Sequence, residues 1–299
     1  MNRIHEDYRL IMTTLYKGMD AALLEAEYNL RARRGSDFED LVERWLERSA
    51  AQRNSSGAKV DLAYGAGVRE KLDWFSGGEP NGPALIFIHG GYWQRGDKNM
   101  YSFVTESFVE HGVSVAVMNY NLTPSVRMPH IPPQIQKAVS WVWQNAPDLG
   151  FARDKLFISG HSAGGHLTAR MMATDWPSVD ASLPADLVRG GIPISGLYEL
   201  EPLVHTSINE GPQMDIAEAR AESPCNIPPV TNAPQLVAVG GGETAEFLRQ
   251  SDDYSNQYRT DERIMERFDV RKDDHFDELE TLARADSLFF EKCMQLITV

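Results

Sequence analysis

Short, unbroken apolar runs recur along this chain, separated by longer stretches of helical texture. The runs are Ala84–Ile88, Ser114–Met118, Leu156–Ile158, Gly191–Ile194 and Leu236–Val239, with a weaker one at Arg267–Val270. Runs of this length, apolar at every position rather than every second one, are the mark of strands covered on both faces, as in a parallel sheet. The intervening segments 98–111, 131–146, 163–174, 244–259 and 277–296 are long enough for crossover helices. The alternation predicts an α/β fold with a mostly parallel central sheet and helices on both faces. Val60–Tyr64 alternates instead and reads as an early antiparallel strand.

Residues 1–56 show no strand pattern. Asp20–Asn29 is rich in helix formers, and Ser36-Asp-Phe-Glu39 predicts a capping box opening a second helix. Its positions Phe38, Leu41, Val42 and Trp45 share one face. The expected organisation is a helical N-terminal extension, 1–56, packed on a main domain, 57–299. Residues 197–234, rich in Pro, Asn and Glu with a helix near 213–222, are expected to interrupt that domain as a cap-like insertion.

Composition narrows the function classes. The 299 residues carry 43 acidic against 29 basic side chains, a formal net charge of -14. Such a surface repels phosphate backbones and anionic lipid, so no nucleic acid and no membrane is expected as a partner. No apolar run approaches the roughly 20 residues of a membrane-spanning helix, and Met1–Leu10 has no apolar leader core. Cys225 and Cys293 lie far apart, which suits a reducing compartment. The expectation is a cytoplasmic protein acting on a small molecule, with a homo-oligomer left open.

Candidate chemistry centres on Gly160-His-Ser-Ala-Gly164, a G-x-S-x-G pattern. Alone it is a weak signal, and two turn glycines would account for it. Here the run ending at Ser159 precedes it and a helical stretch from Leu167 follows, the context of a nucleophile elbow. Small neighbours let the serine adopt a strained backbone at a helix N-terminus, where free N–H groups favour developing negative charge. Ser162 is therefore the candidate nucleophile.

A serine hydroxyl needs a base, and in this architecture the acid and then the histidine follow the serine in the chain. His166 lies within the elbow's own helix and His205 in the insertion. His275 follows the last strand-like run and precedes the last helix, the position expected of the base. Glu243 ends Leu236–Gly242 and is the expected acid, with Glu246, Asp252 and Asp253 as competitors. His89-Gly-Gly-Tyr-Trp93 follows the strand at 84–88. Its Gly90 and Gly91 amides, with that of Ala163, are expected to form an oxyanion hole. His89 is expected to brace that turn, and Tyr92 and Trp93 to line the substrate pocket. No nucleotide-binding or metal-binding motif is present: the glycine pairs lack G-K-[ST], and His161 and His166 straddle a turn instead of sharing a helix face. No cofactor and no metal are expected.

These motifs resemble the kynurenine formamidases (arylformamidases) of the α/β-hydrolase fold. The resemblance is carried by HGGYW with Gln94 and Asp97-Lys98, by GHSAGGHL, by Glu243–Ser251 and by Asp274–Asp277. It runs from about residue 60 to the C-terminus. The animal enzymes carry Asp where this chain has Glu243. The resemblance implies hydrolysis of N-formylkynurenine to kynurenine and formate through a formyl-serine, with Arg95 or Arg127 as a partner for the substrate carboxylate. A carboxylesterase for short acyl esters, a related amidase or carbamate hydrolase, and a non-catalytic binding protein on the same fold are the alternatives.

Overall fold

A computed structural model describes residues 14–298; the Met1–Leu10 stretch read for a leader lies outside them. Eight strands form one sheet: β1 (Ala58–Ala63), β2 (Lys71–Phe75), β3 (Gly82–Ile88), β4 (Ser114–Met118), β5 (Phe151–His161), β6 (Gly191–Ile194), β7 (Gln235–Gly240) and β8 (Met265–Val270). Their order is β1-β2-β4-β3-β5-β6-β7-β8. The pairs β1–β2 and β2–β4 are antiparallel, and every other pair is parallel. The fold is an α/β hydrolase.

The helices are α1 (Ala21–Tyr28), α2 (Leu30–Arg34), α3 (Asp37–Arg53), α4 (Lys98–Tyr101), α5 (Glu106–Glu110), α6 (Ile131–Gln144) and α7 (Ala146–Leu149). They continue with α8 (Ala163–Met172), α9 (Trp176–Val179), α10 (Ile216–Glu222), α11 (Ala245–Tyr258), α12 (Asp277–Leu282) and α13 (Leu288–Ile297). None among the described residues is long and apolar enough to cross a membrane.

The strand alternation splits the core into two layers. Ala84, Ile86 and Ile88 of β3 face one layer with Ile135, Val139 and Leu167 of α6 and α8. Leu85 and Phe87 face the other with Phe103, Phe108, Leu282 and Phe290. Both faces of the parallel strands are thus apolar, which is why they read as continuous runs.

The N-terminal segment divides between the same layers. Leu24, Tyr28 and Leu30 join the first, and Leu41 and Trp45 of α3 join the second. The chain between them therefore crosses from one side of the sheet to the other. Asp20 caps α1 by accepting from the Leu23 N–H. The expected capping box at Ser36 does not form: Ser36 has helical φ and ψ of -64° and -27°, and its hydroxyl makes no cap bond. An N-cap side chain reaches the N2 or N3 amide only from extended backbone.

The strand β2 has no counterpart among the sequence expectations. Its apolar pattern is broken by Asp73, which is fully buried. Arg53 Nε at 2.7 Å and Lys98 Nζ at 2.8 Å donate to its carboxylate. A buried charge persists only with such partners, and they come from parts of the chain that no local pattern links to the strand.

Candidate active site

The turn between β5 and α8 carries Ser162 at φ 59° and ψ -118°. A non-glycine residue at such φ costs of order 1–3 kcal/mol and persists only where the surroundings impose it. Here Ser162 N–H donates to Ile194 O at 2.8 Å, and Ser162 O accepts from the His166 N–H. Gly164 is needed because β3 passes close by: a Cβ there would lie 2.0 Å from Ile88 O. A Cβ on Gly90 would lie 2.9 Å from His161 O, so the loop after β3 and the turn after β5 are in backbone contact.

His275 and Glu243 meet at the ends of β8 and β7. His275 Nδ1 lies 2.9 Å and 3.1 Å from the two carboxylate oxygens of Glu243. A carboxylate only accepts, so Nδ1 bears a proton, and in the neutral ring Nε2 is the acceptor. Both side chains are buried. The competing acids are engaged elsewhere. Glu246 accepts from Tyr28 and Arg249, Asp252 pairs with Arg267, and Asp253 pairs with Arg249.

Ser162 and His275 both border a cavity of about 540 Å³. The Ser162 hydroxyl makes no hydrogen bond with a described residue, including His275. Catalytic hydrogen bonds are commonly loose before substrate binds. The N–H groups of Gly90, Gly91 and Ala163 donate to no described backbone oxygen, so three unspent donors flank the serine. His89 braces its turn as expected: Nδ1 donates to Gly90 O at 2.7 Å, and the ring stacks on Tyr120 and Tyr101. Burial pushes its pKa down to about 4, so it stays neutral.

Past Gly91, at φ 109°, Tyr92 and Trp93 take φ of 50° and 56°. The two rings pack edge-on, centres 6.2 Å apart, yet only one reaches the cavity. Tyr92 borders the cavity, and its hydroxyl donates to Tyr28 O at 2.6 Å. Trp93 does not border it. Trp93 is fully buried, and its Nε1 donates to His166 Nδ1 at 3.1 Å. The expected pocket role of Trp93 is therefore corrected: an indole N–H finds its acceptor inside the core. His166, whose Nε2 donates to Glu222 O, is held neutral by burial, its pKa pushed down to about 3.

Several cavity residues were not foreseen. Leu30, Arg31, Phe38 and Glu39 come from the N-terminal segment, Ile208 from the 197–234 region, and Phe276 from the histidine loop. Nothing local in the sequence marks them, because they are gathered only by the segment crossing the sheet. Arg95 borders the cavity. Arg127 does not, and it pairs with Glu218 instead.

Below the site lies a buried polar cluster. His161 Nε2 donates to His275 O at 2.7 Å and sits 3.1 Å from Glu278 Oε1. Glu278 Oε2 accepts from the Ser195 hydroxyl at 2.9 Å. Burial first, then the charge of Glu243, pushes the Glu278 carboxyl well above its ordinary range. Burial and the neighbouring His275 keep His161 neutral. His161, His275 and Glu278 bring donor atoms within 4.8 Å of one another. Of these groups, His161 Nε2 serves the His275 carbonyl and His275 Nδ1 the Glu243 carboxylate.

Known proteins match this arrangement across most of the chain. Kynurenine formamidase of Danio rerio is 30% identical, covering 80% of this chain and 81% of the relative. That of Salmo salar is 31% identical, covering 76% and 78%. The chain belongs to the kynurenine formamidase family. It is an α/β hydrolase enzyme, and the BD-FAE family description matches residues 75–183. Among solved structures, a candidate thioesterase from Silicibacter sp. TM1040 superposes with TM-score 0.76 at 33% identity, covering 89% of this chain and 94% of that one. Esterase B of Lactobacillus rhamnosis superposes with TM-score 0.69 at 16% identity, covering 91% and 94%, a likeness of fold.

Proposed function

We propose that this enzyme removes a formyl group from an arylformamide such as N-formylkynurenine, using Ser162 as nucleophile, His275 as base and Glu243 as its acid partner. One observation carries the reading: His275, paired through Nδ1 with Glu243, borders the same cavity as a serine on a strained turn.

In the first half-reaction the Ser162 oxygen bonds to the formyl carbon while its proton passes to His275 Nε2. Substrate binding must bring Oγ and Nε2 to hydrogen-bond distance for this step. The amides of Gly90, Gly91 and Ala163 receive the oxyanion, an effect worth about 3–4 kcal/mol per donor in a protease. His275 then returns the proton to the leaving arylamine as the C–N bond breaks. In the second half-reaction His275 takes a proton from water, hydroxide adds to the formyl-serine, and formate leaves as Ser162 regains its proton. Tyr92 and Phe276 offer faces for the aryl ring, and Arg95 is the candidate partner for a substrate carboxylate. No metal or cofactor takes part, nucleic acid and membrane are not partners, and the site of action is the cytoplasm.

A short-chain ester or thioester hydrolase is the second reading, favoured by the thioesterase-like structural neighbour. Comparing kcat/KM on N-formylkynurenine with that on short p-nitrophenyl esters separates the two. The formamidase reading expects preference for the formamide; an ester preference of orders of magnitude overturns it.

A further inference from the structure

We propose that Arg34 is a positioning residue for His275, through which the N-terminal segment sets the histidine loop. The inference rests on the reading of His275 as the base. Arg34 lies at the end of α2, 240 positions from the loop in sequence, with its side chain only 17% exposed. A single guanidinium nitrogen, Nη1, donates to Asp274 Oδ2 at 2.6 Å and to Asp277 Oδ1 at 2.8 Å. These two aspartates lie on either side of His275. Asp274 in turn accepts from the N–H groups of Phe276 and Asp277 through Oδ1, at 2.9 Å and 3.0 Å. Burial works to raise the Asp274 pKa, but those amides and Arg34 together hold it below the ordinary range. The loop is therefore fastened by one carboxylate that bridges its own backbone and a cation from another part of the chain. Pairs of this kind, partly buried and joined in a network, escape the near-zero value of isolated surface pairs.

The same stretch of chain also touches the loop after β3 and the loop that carries Glu243. Tyr28 O accepts from Tyr92 on the oxyanion turn. Glu27 accepts from the Thr244 hydroxyl and the Glu246 N–H, one and three residues beyond Glu243. Phe38 packs edge-on against Phe276, ring centres 4.9 Å apart. A second, smaller cavity of about 290 Å³ is bordered by Arg33, Arg34 and Asp37 on one side and by Glu243, Asp274 and His275 on the other. Arg34 and His275 thus border one cavity, with the Arg34 guanidinium held by Asp274 and Asp277.

Removing the cation takes away the loop's external anchor, and misplacing a base by about 1 Å can cost on the order of 100-fold in rate. The test uses the full chain with Arg34→Gln and Arg34→Lys, measuring kcat and KM on N-formylkynurenine and p-nitrophenyl acetate from pH 5 to 9, with Tm recorded for each. Arg34→Gln is expected to lower kcat about tenfold to a hundredfold on whichever substrate the wild type turns over, with KM within threefold. Arg34→Lys is expected to recover part of kcat. An Arg34→Gln enzyme with unchanged kcat overturns the proposal. So does a loss of activity that follows Tm alone, with no rescue by lysine. His275→Ala separates the underlying reading: if that variant stays active, the base assignment fails irrespective of Arg34.

Discussion

His161 Nε2 donates to the backbone carbonyl of His275, 2.7 Å away. The residue beside the candidate nucleophile thereby holds the main chain of the candidate base. The x position of G-x-S-x-G is thus a fastening between the loop after β5 and the loop after β8. Replacing His161 by Ala removes it while leaving Ser162, Glu243 and His275 unchanged. The expected result is a fall in kcat of about tenfold to a hundredfold with KM little altered. Steady-state kinetics on the preferred substrate check this, and a purely elevated KM would contradict it.

The Glu243–His275 pair predicts a graded series. Glu243→Gln keeps the shape but offers a group that can donate as well as accept, so the imidazole tautomer is no longer fixed. A comparable replacement in a serine protease costs about 10⁴ in kcat, and a loss on the order of 10³–10⁴ is expected here. Glu243→Asp keeps the charge on a shorter arm and is expected to retain far more activity. Activity kept in Glu243→Gln and lost in Glu243→Asp would show that geometry alone matters.

Trp93 and Tyr92 are neighbours with different expected phenotypes. Trp93→Phe deletes the N–H that satisfies His166 Nδ1, leaving a buried acceptor unpaired at a cost of about 1–3 kcal/mol. The variant is expected to have a Tm lower by several degrees and an unchanged KM. Tyr92 borders the cavity, so Tyr92→Phe and Tyr92→Ala are expected to alter KM. A large KM effect at Trp93 with unchanged Tm would restore it to the pocket.

This pair also marks where the sequence could be read and where it could not. The parallel strands and the strand-turn-helix around Ser162 are local patterns with short-range causes, and both were legible. That Glu243 and not Glu246 meets His275 followed from its place at the strand end. Trp93 was misread because proximity to Gly91 in sequence does not say which side chain enters the cavity; the acceptor for its indole N–H, His166, lies in the core. The strand β2 was hidden because Asp73 looks polar until Arg53 and Lys98 arrive from elsewhere. The cavity wall from α2 and α3 was invisible for the same reason: it exists only once the chain crosses the sheet.

Glu278 predicts a pH effect on stability. Its carboxyl is fully buried and its pKa is raised well above the ordinary value. Such a group contributes stability that is fully present below the unfolded value, about 4.3. That stability is lost as pH rises through the folded value. Glu278→Gln has no proton to lose. The Tm of Glu278→Gln minus that of the wild type is therefore expected to become more positive between pH 5 and pH 8. Thermal unfolding across that range checks the sign, and a flat difference would mean that Glu278 is ionised in the fold.

The central claim is that Ser162, driven by His275, is the attacking group. The most direct measurement is mass-spectrometric mapping of the protein after reaction with a fluorophosphonate, which reports an activated serine by covalent capture. The account predicts a single adduct on Ser162, formed much more slowly in His275→Ala and absent in Ser162→Ala, which also loses hydrolysis while remaining folded. An adduct at another residue, or full hydrolytic activity in Ser162→Ala, would contradict it.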